Sequence, residues 1–132
     1  MKVLALDYGS ARTGVAVSDP SGTIARPLGV VERAATADGL ACLAELVQTE
    51  GAERVVVGLP LTMRGERGEQ AAETQRFVEA LRATIDVPVE SFDERFTTDL
   101  AERSPDATAS TDARAAAHLL SSYLTWSSNS SR

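Results

Sequence analysis

The first nineteen residues constrain the fold most, because they predict a hairpin with a carboxylate where its first strand ends. Residues 2–6 (Lys-Val-Leu-Ala-Leu) are typical of a buried strand, and residues 15–17 form a second apolar run. The segment between them contains Asp7 and the glycines Gly9 and Gly14, which favour a turn. An aspartate at the end of a core strand is unfavourable unless its charge is compensated. A divalent cation, or a phosphate held through one, would compensate it, so we expect an acidic site at the end of a central strand.

After the hairpin, the hydrophobic pattern predicts one more strand and then alternating helices and strands. The predicted elements are a strand at 23–31, a helix at 37–50 with Thr36 as its N-cap, a strand at 53–58, a helix at 69–85, a strand at 87–92 and a helix at 112–126. Pro27 predicts an edge position for the third strand, because proline cannot donate a ladder hydrogen bond. The opening strands can pair as an antiparallel meander, and each later strand returns through a helix as a parallel neighbour. The sequence therefore predicts an α/β fold with a mixed five-stranded sheet and helices on both faces.

The length and composition predict one domain of ordinary globular type. The chain has 132 residues, of which 43% are hydrophobic and 24% charged. We expect a single domain at 1–126 and a polar C-terminal tail at 127–132. No stretch is long and apolar enough to predict a membrane span, and the N-terminus does not resemble a signal peptide. One cysteine, Cys42, excludes an internal disulfide framework and is expected to be a small buried thiol. The cytoplasm is the expected compartment.

The net charge of −6 bears on the class of partner. It argues against a nucleic-acid binder that relies on a basic surface alone. It does not argue against an enzyme that binds phosphates through metal ions, because such an enzyme needs carboxylates to hold the ions.

Acidic side chains occur where predicted elements begin or end. Asp7 follows the first strand, Asp93 and Glu94 follow the fifth, and Asp112 begins the last helix. Parallel strands deliver their carboxyl ends to one edge of a sheet, and a terminal helix crossing the sheet can add Asp112 there. Three converging carboxylates are stable mainly as a site for Mg²⁺ or Mn²⁺. Each also has a structural interpretation: a turn residue, a solvated charge run with Arg95, and a first-turn helix residue, respectively.

A loop rich in glycine and arginine follows the fourth strand. Gly58 and Pro60 allow close backbone approach, and Arg64 and Arg67 come after them. The loop is either an exposed polar connection or a rim that contacts phosphates beside the carboxylates. Its position after the carboxyl end of a parallel strand favours the second interpretation. Arg12 and Arg95 are further candidates for flanking phosphates.

Four segments carry a resemblance to a known family. They are Leu6-Asp7-Tyr8-Gly9 with Arg12–Asp19, Val57–Leu61 with Gly65, Asp93-Glu94-Arg95 with Thr97-Thr98, and Asp112 with Ala115-Ala116, Leu119-Leu120 and Tyr123-Leu124. In this order and at these spacings they resemble the motifs of the YqgF family, also called RuvX. One such motif is weak, whereas four in sequence, spanning nearly the whole chain, are specific.

The resemblance implies an RNase H-like fold and a metal-dependent nuclease that hydrolyses phosphodiester bonds in 5′-end maturation of precursor 16S ribosomal RNA. A Holliday junction resolvase, the family's earlier name, is the alternative. The implied metal ligands are Asp7, Asp112 and either Glu94 or Asp93, with Glu94 preferred because neighbouring strand residues point opposite ways. The implied cofactor is Mg²⁺ or Mn²⁺. The candidate substrate-binding residues are Gly9, Arg12, Gly58, Pro60, Arg64, Arg67, Arg95 and Thr97.

The partners implied by the resemblance are precursor rRNA or, in the alternative, branched DNA. Ribosomal or processing proteins and a second copy of the chain are further partners that the sequence leaves open, and no membrane is expected. In one respect the chain departs from the family. Residues 101–111 are short and lack lysine, where members usually carry a longer, often basic segment, and this puts substrate affinity in doubt more than chemistry.

Two other interpretations stay open at this point. Asp-x-Gly followed by a turn also resembles the phosphate loop of actin-like ATPases and sugar kinases, which need two such domains to enclose a nucleotide. Alternatively, the chain is a non-catalytic RNA- or protein-binding module with structural carboxylates, an idea to which the pI of 4.8 lends some weight. ATP turnover tests the first, and metal-dependent RNA cleavage tests the second.

Overall fold

The helices and strands follow the predicted order. The computed structural model describes residues 1–59, 68–93 and 111–130. Its elements are β1 (Val3–Asp7), β2 (Arg12–Ser18), β3 (Ala25–Glu32), α1 (Ala37–Glu50), β4 (Arg54–Leu59), α2 (Glu69–Thr84), β5 (Val89–Asp93) and α3 (Thr111–Ser130).

The five strands form one mixed sheet in the order β3-β2-β1-β4-β5. Strand β2 pairs antiparallel with both β1 and β3, while β4 pairs parallel with β1 and β5. The prediction of a meander followed by two parallel strands is therefore confirmed. Strand β3, which contains Pro27, lies at an edge as expected, and β1 occupies the centre, so Asp7 ends the central strand.

Helices cover both faces of the sheet, and the side chains of each strand alternate between two cores. Leu4 and Leu6 of β1 pack with residues of α1 and α2, whereas Val3 and Ala5 pack with α3. This alternation also explains the unbroken apolar run of β4, because its valines are fully buried and pack alternately in the two cores. Because successive side chains of a strand point to opposite faces, these core residues determine the face on which the residues at the end of each strand lie.

Some element ends and one side chain differ from the sequence-based prediction. Strand β2 begins at Arg12, earlier than the predicted apolar run at 15–17, so that Gly14 is part of the strand and pairs with Asp7. Helix α3 continues through Ser130 instead of ending at Trp126, because residues 127–130 contain neither glycine nor proline to stop it. The expectation of a buried Cys42 is wrong: the thiol is exposed. Helix α1 buries Gly39, Leu43 and Val47, and position 42 is rotated away from that face.

The start of α1 is as predicted, since the Thr36 side chain accepts a hydrogen bond of 3.1 Å from the amide of Gly39. In the described residues, no helix combines the length and apolar character of a bilayer-spanning segment.

The distal half of α3 is anchored on β4 and β5 by aromatic and polar contacts. The Tyr123 hydroxyl, on a side chain that is almost fully buried, accepts a hydrogen bond of 3.0 Å from Nη1 of Arg54. Desolvation by burial raises the pKa of this tyrosine. The Phe92 ring packs edge-on against Tyr123, with centroids 5.5 Å apart, and is also in contact with Trp126 at 5.6 Å. These contacts hold the helix in one position on the sheet and so fix where its first turn lies.

Candidate active site

Asp7 and Asp112 lie on the same face of the sheet. Asp7 is half-buried at the end of β1 and stands directly opposite Gly14 of β2. Directly opposed residues of an antiparallel pair point to the same face and are roughly 5 Å apart. A Cβ atom added to Gly14 would lie 1.9 Å from the carbonyl oxygen of Asp112, so that face is the one covered by the start of α3. The first turn of α3 therefore lies about one strand spacing from Asp7.

An arginine lies beside the second of these carboxylates. Nε of Arg12 is 3.4 Å from Oδ2 of Asp112, and the two side chains are 67% and 38% exposed. Exposed ion pairs contribute little to stability, so the pair matters mainly because it keeps a guanidinium at the rim of an acidic site. Arginine is well suited to bind a phosphate bidentately.

The ends of β4 and β5 border the same site. Val56 and Phe92 face the α3 core. Two positions after Val56, Gly58 faces that side too and places no side chain next to Asp7. Asp93 follows Phe92 immediately, so the alternation directs it to the α1 and α2 face, away from Asp7 and Asp112. This phase argues against Asp93 as a ligand in the site on the α3 face.

Several predicted site residues lie outside the described residues. They are Pro60, Arg64, Arg67, Glu94, Arg95 and Thr97. Gly9, by contrast, lies in the turn after β1, where a Cβ atom would approach the carbonyl oxygen of Arg12 to 2.5 Å. A residue without a side chain is therefore needed to form this turn, and Gly9 shapes the site whether or not it contacts substrate.

The donor set is suited to a hard cation, although it is incomplete within the described residues. Over residues 1–59, 68–93 and 111–130, no three histidine, cysteine or acidic side chains are grouped closely enough to hold a metal ion. The two carboxylates on the α3 face supply oxygen ligands of the kind that Mg²⁺ and Mn²⁺ prefer. A third carboxylate would have to come from outside the described residues, where Glu94 lies.

A contact that sequence reasoning missed supports the end of β1 from the opposite face. The hydroxyl of Tyr8 donates a 2.9 Å hydrogen bond to Oε2 of Glu73 in α2. The ring of Tyr8 also stacks on Phe77 of the same helix, with centroids 4.5 Å apart. Burial, together with the bond to Glu73, raises the pKa of Tyr8 to about 12. Tyr8 and Glu73 are 65 residues apart in the chain. The sequence signal for this contact was limited to the presence of an aromatic residue next to Asp7.

The comparison with solved structures shows the fold. The chain superposes on RuvC of T. thermophilus, solved in complex with a Holliday junction substrate, with a TM-score of 0.71 and 17% identity over 98% of this chain and 96% of that one. It also matches the fowlpox virus resolvase, solved with Holliday junction DNA, with a TM-score of 0.55 and 12% identity over 96% and 98% of the two chains. The predicted RNase H-like architecture is therefore confirmed.

Sequence comparison gives closer relatives. A protein of Chloroflexus aggregans is 52% identical over 101 residues, which are 76% of this chain and 71% of that protein. One of Syntrophomonas wolfei is 39% identical over 132 residues, 94% of each chain. Both are named "Putative pre-16S rRNA nuclease". The model of the RuvX family, described as Holliday junction resolvase, matches residues 1–126. Because the family model covers nearly the whole chain and the relatives are 39–52% identical to it, the chain belongs to the RuvX family.

Proposed function

We propose that this protein is a divalent-metal-dependent nuclease that hydrolyses phosphodiester bonds in 5′-end maturation of precursor 16S rRNA. The observation that carries the proposal is the convergence of Asp7 and Asp112 on one face of the sheet, with Arg12 beside them. The names of the relatives from Chloroflexus and Syntrophomonas support the choice of substrate.

Asp7, Asp112 and Glu94 would hold the metal, which is Mg²⁺ or Mn²⁺. Glu94 is chosen over Asp93 because the alternation along β5 directs Asp93 to the opposite face. Divalent ions bound there would supply Lewis-acid activation of water and charge stabilisation of the leaving oxygen. The carboxylates fix the geometry at which such ions would sit, because Asp7 belongs to a buried strand and Asp112 to an anchored helix.

The other residues of the site bind and orient the substrate. Arg12 neutralises Asp112 in the free protein and would turn to a phosphate flanking the scissile bond, since its side chain is exposed. Arg64, Arg67 and Arg95 would hold further phosphates, and Thr97 would donate a hydrogen bond from its hydroxyl. The missing side chain at Gly58 leaves room for the nucleic-acid backbone to approach Asp7.

The proposal is tested by cleavage of labelled substrates in Mn²⁺ or Mg²⁺. Three substrates are compared: a 16S precursor leader, an unrelated single-stranded RNA and a four-way DNA junction. Preferential cleavage of the leader supports rRNA maturation. Resolution of the junction in preference to the leader would favour the alternative that the family description names, a Holliday junction resolvase. The cleavage pattern also separates endonucleolytic from exonucleolytic action.

Variants tie the activity to the proposed site. Asp7→Asn should abolish metal-dependent cleavage and leave the fold intact, because asparagine keeps the shape of the side chain and removes the charge that binds the cation. Asp38→Asn is the matched control, since Asp38 is an exposed aspartate in the first turn of another helix, α1. Cleavage by Asp7→Asn at the wild-type rate would refute the assignment.

Two rival activities predict different results in the same preparation. A nucleotide-dependent enzyme related to actin-like ATPases would hydrolyse ATP and leave RNA intact, whereas a binding module would retain RNA without cutting it in any divalent metal. A cytoplasmic location and contact with ribosomal or processing proteins are parts of the proposal that follow from a role in rRNA maturation. A homodimer is a separate part of it, which the role does not require.

A further inference from the structure

We infer that Glu73 is a positioning residue, which holds the metal-binding end of β1 in place through its hydrogen bond with Tyr8. This inference rests on the proposed function, because it assigns Glu73 a role in orienting Asp7.

The geometry of β1 places the two side chains in question on opposite faces. Asp7 faces α3, and Tyr8 packs with the core formed by α1 and α2. The chain leaves the sheet at this point, since Asp7 is the last residue of β1. Any rotation of the strand end about its own axis would therefore swing the Asp7 carboxylate, and contacts made by the following residue add to the pairing with Gly14 in opposing that rotation.

Tyr8 makes two contacts that oppose it. Its ring stacks on the buried ring of Phe77, at an interplanar angle of 20°. Its hydroxyl is bonded to Glu73, four residues earlier on α2 and on the same side of that helix. The stacking fixes the plane of the ring, and the hydrogen bond fixes its position along α2.

The bridge also connects two elements of the fold. Glu73 lies in the second turn of α2, so the hydrogen bond ties that helix to the strand that carries Asp7.

The test uses variants that separate the bridge from general stability. Tyr8→Phe keeps the stacked ring and removes only the donor. Glu73→Ala removes the acceptor, and Glu73→Gln keeps an acceptor oxygen without the charge. The matched control is Glu79→Ala on the same helix, because Glu79 is exposed and, among the described residues, pairs within α2, with Arg82 at 2.8 Å and with Gln75.

Three quantities are measured on each full-length variant: hydrogen exchange of residues 7–11 in metal-free protein, Mn²⁺ affinity by calorimetry, and kcat and KM for RNA cleavage. Tyr8→Phe and Glu73→Ala should speed exchange at residues 7–11 and weaken Mn²⁺ binding by about 3–10-fold. This is less than the roughly 10–100-fold that loss of a direct partner of a metal ligand costs, because Glu73 acts on Asp7 through Tyr8. Both variants should lower kcat by a factor similar to the loss of Mn²⁺ affinity at nearly constant KM. Glu73→Gln should restore most of each quantity, and Glu79→Ala should match the wild type.

Each contrary result has a distinct meaning. Unchanged exchange and Mn²⁺ affinity in Glu73→Ala, in a wild type that binds Mn²⁺ and cleaves RNA, would overturn the inference alone. A fall in melting temperature without a change in Mn²⁺ affinity would do the same, because the bridge would then be structural only. A wild type that neither binds Mn²⁺ nor cleaves would refute the proposed function and, with it, the role given to Glu73.

Discussion

Replacement of Gly14 by alanine should misplace Asp112 and thereby impair both stability and cleavage. The new Cβ atom would lie 1.9 Å from the carbonyl oxygen of Asp112 and 3.2 Å from the amide nitrogen of Ala113. Both contacts are with main chain, so no side-chain rotation relieves them. The first turn of α3 must move away by about 1.5 Å before the carbon reaches a normal contact distance.

The two consequences have different sizes. Overpacking of this kind costs about 1–3 kcal/mol of unfolding free energy, which corresponds to roughly 4–12 °C in the melting temperature of a chain this long. A misplacement of about 1 Å at a reacting centre can lower the rate roughly 100-fold. At 25 °C the variant should therefore stay folded and yet lose most of its kcat.

The assay combines thermal unfolding with single-turnover cleavage of the RNA leader in Mn²⁺. Gly29→Ala is the control, because Gly29 lies in strand β3 and a Cβ atom there has nothing within 4 Å. Alanine at that position should leave cleavage unchanged and keep or slightly raise stability. Wild-type kcat and melting temperature in Gly14→Ala would refute the close approach of α3 to β2 on which the site depends.

Three further predictions follow from single contacts. Arg12→Gln should change the unfolding free energy by less than about 1 kcal/mol, because its ion pair with Asp112 is exposed, but should raise KM for nucleic acid several-fold, as denaturant titration and steady-state kinetics will show. Thr36→Ala should cost about 1 kcal/mol through loss of the helix cap and leave kcat unchanged; a changed kcat would contradict it. The pKa of Tyr8 is raised to about 12 from 10.0, so the native state holds this proton more tightly and the associated stability is present below about pH 10 and is lost as the pH rises to about 12. Unfolding measured from pH 9 to 12 should show a larger loss in the wild type than in Tyr8→Phe, in which only Tyr123 still has a raised pKa among the described tyrosines.

The sequence predicted the sheet because its signals are local. The apolar run of Val55, Val56 and Val57 requires burial on both faces, and Pro27 excludes a central strand. Turn residues around Gly9 mark the hairpin. The order of strands and helices then leaves few topologies that obey the rules of short, right-handed connections.

The details of the site depend on contacts between distant residues, which the sequence does not encode in a readable pattern. Arg12 and Asp112 are 100 positions apart in the chain, and Tyr8 and Glu73 are 65 apart. The prediction that Asp7 and Asp112 share a cleft needed only the crossing of a terminal helix. Predicting the Arg12–Asp112 ion pair and the Tyr8–Glu73 hydrogen bond would have required the register of β2 against β1 and the position of α2. The preference for Glu94 over Asp93 stays a prediction, because Glu94 lies outside the described residues.

Anomalous diffraction from crystals soaked in Mn²⁺ tests the central claim most directly. We expect a manganese peak bonded to carboxylate oxygens of both Asp7 and Asp112, on the α3 face of the sheet, with Arg12 turned away from Asp112. A map with no peak between these carboxylates at saturating Mn²⁺, and with Arg12 still paired to Asp112, would contradict a metal-dependent site at this place.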